Sequence, residues 1–537
     1  MKRVLMLGID GATYAILDPA FEAGHMPNLK KLLDRSASGV LTSTVPPYTP
    51  PGWTSIFTGV NPGKHGIFGF TLGNVQRREG LVRLDRVTAP ALWNAANAQG
   101  LRTGLFNIPM TYPPPVVDGW SVSGMLTPEG GGATPDNFTH PDSLAKKIID
   151  AAGSYEIDIE VNYDQDWRST DIIERLSRNQ RLKRDALRAL MDDDGDLPLL
   201  FAVMEAPDRL MHVHYKYIDP TCEHYTRPEA APIRERAWSF FDEMDEVMGD
   251  LIDWAGDGYI LTMSDHGFGP KDKTVNINLA LREWGYLHVK GAGTVTTSTG
   301  LRKAARRVKK ALPKSVWQKA KGRAQASIDW TKTKAFSAPI PQQGIYINLK
   351  GREPEGIVEA AEYESVRDEV IDKLGSLIDP DDGRPVVDRV YKREEVMDGP
   401  QAAGAPDLFP VCREYGYELS DGLFSPSVLD DYRDLPRGFH RMDGIFGIAG
   451  PDVAPRDGLE AHLYDMTPTA LYLAGCKLPP MDGRVLVDFL PQKLVVDRPP
   501  ETTDMDLPLA GEGAEVSPYS AAEEAEIEES LRNLGYL

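Results

Sequence analysis

Three aspartates stand where short apolar runs of the sequence end. Asp10 follows LMLGI, Asp208 follows FAVMEAP and Asp265 follows ILTMS. If each run is a buried parallel strand, the carboxyl ends of these strands meet at one edge of the sheet, where ligands bind in such folds. We therefore expect the three carboxylates to converge, although they are far apart in the sequence.

Histidines accompany these aspartates at spacings that suit metal binding. His212 lies four residues after Asp208, so one helical turn would place both on the same face. His266 directly follows Asp265, and His440 precedes another apolar run in GFHRMDGIFGIAG. Aspartate and histidine without cysteine favour Zn²⁺ or Mn²⁺, and a pair of such ions can stabilise the attacking and leaving oxygens of a phosphoryl transfer. Taken singly, each residue also has a structural explanation as a helix cap, a turn or a surface polar group.

The stretch PPYTPPGWTSIFTG, residues 46–59, is the place to look for a nucleophile, because hydroxyl side chains crowd into it. Its pattern predicts a proline-stiffened turn and then a helix that begins near Gly52. Thr49 would stand just before that helix, where unpaired backbone N–H groups and the helix dipole favour a phosphate. Coordination to a metal would lower the pKa of the hydroxyl and make it a nucleophile. From this stretch alone, a plain helix-capping threonine explains Thr49 equally well.

The elements that must position these residues follow from the apolar pattern. Strand-like runs alternate with helical patterns in which apolar residues recur at three- and four-residue spacing. This alternation predicts an α/β fold with a doubly wound, mostly parallel central sheet, helices on both faces and an inserted cap or lid region. The predicted strands are 2–9, 102–108, 197–204 and 258–264, and the predicted helices include 26–37, 240–256 and 354–378.

The chain is predicted to divide into a catalytic core and inserted segments. The stretch 301–323 carries ten Lys or Arg and no acidic residue. Three interpretations stay open for it: a solvated insertion, a lid that attracts an anionic substrate, and a helix in weak peripheral contact with anionic lipid. We predict a core at 1–290 and 431–495, a basic helical insertion at 291–340, a smaller α+β region at 341–430, and an acidic linker with a C-terminal helix at 496–537.

Composition excludes several classes of protein. The formal net charge is −21 over 537 residues, which argues against binding of a nucleic-acid polymer. Three scattered cysteines, Cys222, Cys412 and Cys476, suit neither a disulfide framework nor a cysteine metal motif. No apolar run reaches the ~20 residues of a membrane helix, and the first residues lack the pattern of a signal peptide. We therefore expect a cytoplasmic protein without a transmembrane segment; no oligomeric state is predicted.

Seven motifs occur along the chain in a fixed order. They are GIDGAT (8–13), TPPGWTSIFTG (49–59), NPGKHGIFGF (61–70), PDRLMH (207–212), SDHGFG (264–269), GFHRMDGIF (438–446) and YDMTPTALYLAGCKLPPMDGRVL (464–486). This ordered set resembles the motifs of the alkaline phosphatase superfamily and looks closest to the type I phosphodiesterase / nucleotide pyrophosphatase family, in its phosphohydrolase/phosphomutase-like branch. The resemblance covers roughly 1–270 and 430–490, and the ordered set is specific although each motif alone is not.

The resemblance implies a site with two divalent ions, Zn²⁺ in the first place and Mn²⁺ as the alternative. In the family mechanism the nucleophile becomes a phospho-threonine, which water then hydrolyses. The implied substrate is a small phosphorylated molecule. Carried over by position, one ion would be held by Asp208, His212 and His440, and the other by Asp10, Asp265 and His266, with Thr49 bound to the second ion as nucleophile.

One position departs from the family pattern. Nucleotide pyrophosphatases usually carry asparagine three residues after the nucleophile, and this chain has Gly52, whose backbone N–H would have to bind the phosphate instead. Asn107, Tyr112 and His214 are further candidates for substrate contacts, although turn chemistry or a supporting role explains them nearly as well.

The predicted function is a two-metal phosphoester hydrolase, with phosphodiesterase activity favoured. A phosphomonoesterase or phosphomutase with the same site is the alternative. A metal-stabilised protein that binds anions without turnover is the second alternative. The motif that sulfatases use to make formylglycine is missing from the sequence, which argues against a sulfatase.

Overall fold

The computed structural model describes most of the chain, with gaps. The basic stretch 301–323 lies outside the described residues, as does most of the predicted insertion 291–340. The described residues are 2–128, 137–159, 161, 166–194, 196–290, 328–337, 343–514 and 519–533.

The strands and helices of the described residues alternate along the first half of the chain. The strands are β1 (Val4–Ile9), β2 (Ala37–Thr42), β3 (Thr103–Ile108), β4 (Gly119–Ser123), β5 (Thr139–His140), β6 (Leu199–Met204), β7 (Tyr259–Met263), β8 (Gly267–Pro270), β9 (Lys273–Asn276), β10 (Ala335–Ser337), β11 (Ile345–Ile347), β12 (Val387–Lys392), β13 (Leu408–Cys412), β14 (Tyr417–Ser420), β15 (Leu429–Asp431), β16 (Gly438–Arg441), β17 (Asp443–Ala449) and β18 (Arg456–His462). The helices are α1 (Tyr14–Glu22), α2 (Pro27–Asp34), α3 (Thr49–Thr58), α4 (Pro62–His65), α5 (Leu92–Asn97), α6 (Ser143–Ala152), α7 (Asp171–Asp193), α8 (Ala206–Ile218), α9 (Ala230–Ala255), α10 (Ile277–Glu283), α11 (Tyr363–Gly375), α12 (Arg393–Val396), α13 (Met466–Leu473), α14 (Gln492–Asp497) and α15 (Ala521–Asn533).

Nine of these strands form the central sheet, in the order β18-β2-β17-β7-β1-β6-β3-β4-β5. Its middle strands β7, β1, β6 and β3 run parallel, and β17 and β5 add antiparallel pairs. Every residue of β1, β6 and β7 is buried, as continuous apolar runs predict for a sheet covered on both faces. The predicted α/β fold is therefore confirmed.

The register of the three middle strands aligns their carboxyl ends. Ile9 pairs with Met204, and Gly8 pairs with Met263. The chain segments that leave β1, β6 and β7 consequently start side by side at one edge of the sheet. This edge is where the sequence places the three strand-end aspartates.

Helices α9 and α13 pack against the central strands, and the long amphipathic helix α9 supplies much of that cover. The predicted helix 26–37 is shorter in the structure, where α2 ends at Asp34 and the chain enters β2 at Ala37. Residues 240–256 belong to a helix that begins earlier, at Ala230. The central sheet therefore carries helices close to where the periodicity predicts them.

A second cluster of buried apolar residues lies between Val275 and Leu429. Around it stand the antiparallel sheet β10-β11-β13-β12 and the three-stranded sheet β14-β9-β15. The ribbon of β8 and β16 joins this region to the edge of the central sheet, with His440 paired to Phe268. The division into segments drawn from the sequence stays a prediction.

The acidic C-terminal segment packs back onto the core. Ile527 and Leu531 of α15 are buried against the main core, and Tyr519 stacks on Tyr112 with 5.5 Å between ring centroids. The hydroxyl of Tyr519 donates to the carbonyl of Leu126 at 2.9 Å. Among the described residues, none of the helices is long and apolar enough to cross a membrane. The cytoplasmic location stays a prediction.

Candidate metal centre

One group of three side chains gathers where β6 gives way to α8. The Nε2 atom of His440 lies 3.1 Å from Oδ1 of Asp208 and 2.9 Å from Nε2 of His212. The Nε2 atom of His212 is 3.3 Å from the same carboxylate oxygen, as expected for residues one helical turn apart. These three residues could hold one metal ion.

A second group, Asp10, Asp265 and His266, forms around the ends of β1 and β7. The Nε2 atom of His266 lies 3.3 Å from Oδ2 of Asp265 and 3.6 Å from Oδ1 of Asp10. The imidazoles of His266 and His440 stack with their centroids 3.6 Å apart, so the two groups adjoin each other. The structure thus brings together the same six residues, in the same two sets, that the motifs indicated.

Backbone carbonyls orient two of the imidazoles. Nδ1 of His440 donates to the carbonyl of Pro47 at 2.9 Å, and Nδ1 of His266 donates to that of Gly267 at 3.1 Å. A proton on Nδ1 leaves Nε2 as the free electron-pair donor on each ring. In both histidines that nitrogen points toward the carboxylates, which is the arrangement that metal-binding histidines show.

Unpaired oxygens show that these residues fit a cation. Oδ1 of Asp10 and Oδ2 of Asp265 are buried and have no hydrogen-bond partner among the described residues. The Nε2 atoms of His212 and His440 lie 2.9 Å apart, and the donation from Nδ1 of His440 to Pro47 leaves the Nε2 of His440 as an acceptor. Buried unpaired carboxylate oxygens are costly, and a divalent ion held by Asp10, Asp265 and His266 would satisfy both of them.

The pKa shifts of these residues also fit a site that binds a cation. Burial and the neighbouring carboxylate of Asp265 raise the pKa of Asp10 well above its ordinary value, and burial and Asp208 do the same for Asp265. Burial opposes ionisation of Asp208, but the adjacent His212 and other donors hold its pKa well below the usual range. Burial lowers the pKa of His212 to about 4, so its imidazole is neutral at physiological pH. Neutral imidazoles among buried carboxylates are the protonation states that bind a metal.

Thr49 reaches this centre from α3. Its Oγ1 lies 3.3 Å from Nε2 of His266, and its side chain is fully buried. The helix begins at Thr49 itself, with Tyr48 as the N-cap residue, and not near Gly52 as predicted. Pro50 and Pro51 fit the first turn because the N–H groups of that turn have no partner in the helix. Thr49 is therefore not the capping residue of α3, and its role as nucleophile stays a prediction.

The first turn of α3 has few backbone donors for a phosphate. Pro50 and Pro51 lack an N–H, and the N–H of Gly52 donates to the carbonyl of Tyr48 at 2.8 Å. The expectation that Gly52 offers its N–H to substrate is therefore not supported by the structure. Charge on a bound phosphate would have to be balanced mainly by other groups.

Gly52 has a steric role instead. A Cβ on this residue would lie 3.0 Å from Cβ of Asp265 and 3.3 Å from its carbonyl oxygen. Contacts that short require the neighbour to move, so glycine lets α3 approach the backbone that carries Asp265 and His266. Any larger residue here, asparagine included, would push against Asp265.

We expect Gly52→Ala to disturb the group around Asp265. The added methyl should displace this aspartate by a few tenths of an ångström and cost about 1–3 kcal/mol of unfolding free energy. Denaturant unfolding and elemental analysis of bound metal will measure both effects. Gly375→Ala is the matched control, since a Cβ there meets nothing within 4 Å, and alanine should stabilise that helix by about 0.5–1 kcal/mol. Equal behaviour of the two variants would contradict the steric role.

Two of the three predicted substrate contacts, Asn107 and Tyr112, already have partners within the protein. The side-chain amide of Asn107 donates to the carbonyl of Val203 at 3.0 Å and to Glu205. The Tyr112 ring lies against Tyr519. His214 stands two residues after His212, about 200° around α8, and therefore points away from the metal ligands. A role for Asn107, Tyr112 and His214 in substrate binding stays a prediction.

Three residues that the sequence analysis did not select contact the centre. The indole N–H of Trp53 donates to Oδ2 of Asp10 at 3.0 Å. The guanidinium of Arg209 donates to Oδ2 of Asp208 at 2.7 Å, and the ring of Tyr48 packs edge-on against His440. Their closeness to Thr49 and Asp208 in the sequence is the one signal that could have indicated them.

Comparisons with known proteins show the family of this chain. A model of the family described as type I phosphodiesterase / nucleotide pyrophosphatase matches residues 4–417. A search of curated proteins gave no match. The phosphonoacetate hydrolase of Sinorhizobium meliloti 1021, solved with phosphonoformate, is 19% identical with a TM-score of 0.52, and the alignment covers 88% of this chain and 96% of that one.

A second solved structure, murine ectonucleotide pyrophosphatase / phosphodiesterase 5 in an inactive form with AMP, is 14% identical with a TM-score of 0.49. The alignment covers 91% of this chain and 100% of that one. Structures this distant in sequence show a shared fold and no more. The family match spans most of the chain and includes five of the six clustered residues and Thr49. The chain therefore belongs to the type I phosphodiesterase / nucleotide pyrophosphatase family of metal-dependent phosphoester hydrolases, as its motifs predicted.

Proposed function

We propose that this protein hydrolyses phosphoesters at two adjacent divalent ions, with Thr49 as the nucleophile. The observation that carries the proposal is the position of Thr49 Oγ1, 3.3 Å from Nε2 of His266 and next to two Asp/His groups, one of which has unpaired carboxylate oxygens among the described residues. We assign one ion to Asp208, His212 and His440, and the other to Asp10, Asp265 and His266.

The choice of ion follows from the donor set. Carboxylate oxygens and imidazole nitrogens without thiolates suit Zn²⁺ first and Mn²⁺ second. Bound ions would lower the pKa of the Thr49 hydroxyl and offset the charge that develops on the phosphoryl oxygens. The chain's own residues hold the ligand geometry: Trp53 fixes one oxygen of Asp10, and Arg209 fixes one oxygen of Asp208.

The proposed reaction has two steps. Oγ of Thr49 attacks phosphorus, an Oγ–P bond forms, and the bond from phosphorus to the leaving oxygen breaks; the leaving oxygen takes up a proton. Water then attacks the phospho-threonine, the Oγ–P bond breaks, and the hydroxyl of Thr49 is restored. Each in-line displacement inverts phosphorus, so the complete reaction retains its configuration.

The family match supports a phosphodiester as the substrate. The rings of His266 and His440 stack with their centroids 3.6 Å apart, so the two groups lie close enough to act on one phosphoryl group. A monoester, or a mutase reaction that returns the phosphoryl group to a substrate hydroxyl, would use the same residues. We favour hydrolysis of a diester and make the other reactions outcomes of the test.

The test uses protein stripped of metal by chelation and then reloaded with Zn²⁺ or Mn²⁺. We expect hydrolysis of bis(p-nitrophenyl) phosphate with kcat/KM at least about tenfold above that for p-nitrophenyl phosphate, phosphonoacetate and p-nitrophenyl sulfate, a difference of about 1.4 kcal/mol. Acid quenching during turnover should trap phosphate on the peptide that contains Thr49, detected by mass spectrometry. Preference for the monoester would select the alternative. No turnover of any ester with either ion would overturn the proposal.

A further inference from the structure

Lys183 and Glu205 form a buried ion pair at the start of helix α8. Glu205 directly follows β6, is the N-cap residue of α8 and stands three residues before Asp208, but its side chain does not cap the helix. It accepts a hydrogen bond from the ammonium of Lys183, which comes from α7. The two side chains are only 10% and 7% exposed. The proposed reaction uses neither of these buried charges.

Stability and close packing do not explain the pair. The cost of taking two charges out of water is about as large as their attraction, so an apolar pair of similar size is often as stable or more stable. A cavity of about 10 Å³, room for about one water molecule, is lined by both side chains and by Gln180, so the pair does not fill its surroundings closely. What Lys183 and Glu205 do hold is the position of the segments that they link.

The ammonium of Lys183 reaches Asp208 by a second route. It donates to the carbonyl of Ile157 at 2.6 Å, and Ile157 precedes Asp158. The carboxylate of Asp158 accepts from the guanidinium of Arg209 at 2.7 Å, and the same guanidinium donates to Oδ2 of Asp208 at 2.7 Å. One buried ammonium thus fixes both the segment before α8 and the segment whose carboxylate holds the arginine on Asp208.

Asn107 ties the neighbouring strand to the same point. Its side-chain amide donates to the carbonyl of Val203 in β6 at 3.0 Å and to the carboxylate of Glu205. Asn107 itself has a φ of 57°, where the pairing of β3 with β4 is irregular, and residues other than glycine rarely adopt such backbone. The carboxylate of Glu205 is therefore held from α7 on one side and from the end of β3 on the other.

We propose that Lys183 is a positioning residue for the metal ligand Asp208. It joins Glu205, at the start of the helix that carries Asp208, to the segment of Asp158, and both hold this ligand in place. The inference rests on the proposed function, because it needs an ion bound by Asp208 and its two histidines. Groups that orient metal ligands typically change metal affinity by about 10- to 100-fold when they are replaced. We expect the lower end for Lys183, because it acts through other residues.

The test titrates the chelated double variant Lys183→Met/Glu205→Met with Zn²⁺ by calorimetry. Both residues are changed, because removal of one charge would leave the other buried and unpaired. The melting temperature of the chelated variant should equal that of the chelated wild type. One of the two ions should bind about tenfold more weakly, and the other as in the wild type. A role in stability alone would lower the melting temperature and leave both zinc affinities unchanged, and this outcome would overturn the inference.

His440→Ala identifies the affected ion. This variant lacks one ligand of the ion at Asp208, so the tightly bound ion that remains is the one at Asp10, Asp265 and His266. Addition of the double change to this background should leave the affinity of the remaining ion within about threefold. A tenfold loss at the remaining ion would show that the pair does not act through Asp208 and would overturn the inference.

Lys273→Met/Asp379→Leu is the matched control. The ammonium of Lys273 lies 2.6 Å from the carboxylate of Asp379, in the loop after α11, and the two side chains are 3% and 1% exposed. Both zinc affinities should equal those of the wild type, and the same tenfold loss here would overturn the inference.

The wild type separates the inference from the proposed function. If it binds two ions and hydrolyses no ester, the proposed function alone fails. If it is active and the Lys183/Glu205 variant keeps both zinc affinities, the inference alone fails. A wild type that binds no ion would overturn both.

Discussion

Thr49→Ala is expected to lower kcat for the best phosphoester by a factor on the order of 10⁴ while leaving bound metal unchanged. The variant lacks the oxygen that forms the covalent intermediate, so the reaction can continue only through direct attack of water. The six Asp/His ligands stay in place, because neither of the two groups includes Thr49. Steady-state kinetics and elemental analysis of the same preparation will measure the two quantities together.

Two further variants separate the nucleophile from its helix. Thr49→Ser keeps a hydroxyl at the same place and should retain activity within about 100-fold of the wild type. Thr58→Ala removes a buried hydroxyl from the same helix, one that donates to the carbonyl of Thr54 at 2.6 Å, and should change kcat little. If Thr49→Ala keeps wild-type kcat with two ions bound, Thr49 is not the nucleophile.

The metal centre was predictable because the carboxyl ends of neighbouring parallel strands lie at the same edge of a sheet. Asp10 and Asp265 follow continuous apolar runs, and Asp208 lies in the first turn of the helix after such a run. In a parallel sheet these runs end at one edge, so side chains more than 190 residues apart meet without any knowledge of the loops between them. His440 was less constrained by pattern alone, and the resemblance to a family supplied its role.

The surroundings of the centre were not predictable in the same way. Arg209 binds Asp208 and also Asp158, at 2.7 Å in each case, and no periodicity links those residues. The sequence predicted that α3 begins near Gly52, because two consecutive prolines are typical of a turn. The helix begins at Thr49, since the first turn of a helix also accepts proline. The position of His214, in contrast, could have been predicted. It lies two residues after His212, and this offset places it on the far side of a helix. Contacts between distant loops depend on packing that one sequence does not specify.

Removal of both ions is expected to destabilise the protein by several kcal/mol. At free metal about 1000-fold above Kd, each ion contributes about 4 kcal/mol to the folded state. Without them, the unpaired oxygens of Asp10 and Asp265 face each other and Asp208 in a buried site. Denaturant unfolding of loaded and chelated protein will give the difference, which should disappear when Zn²⁺ is restored.

The same geometry predicts that Asp10→Asn changes the unfolding free energy in opposite directions in the chelated and the metal-loaded protein. In the chelated protein it removes one of three crowded negative charges and keeps an acceptor for the indole N–H of Trp53, so the unfolding free energy should rise by about 1–3 kcal/mol. In the loaded protein it removes a charged ligand, and metal content and unfolding free energy should both fall. Unfolding curves of both forms of the variant, compared with wild type, will measure the sign.

Asp245→Asn is the matched control for Asp10→Asn. Asp245 is just as buried, but its oxygens accept from the N–H groups of Asn28 and Leu29 at 2.8 Å, and it caps α2 away from the metal ligands. Its replacement should destabilise loaded and chelated protein equally. A structural role for Asp10 would produce that same pattern, with one sign in both states. If the change in unfolding free energy reverses its sign for Asp10→Asn and not for Asp245→Asn, the Asp10 carboxylate serves to bind a cation, whereas the Asp245 carboxylate stabilises the fold.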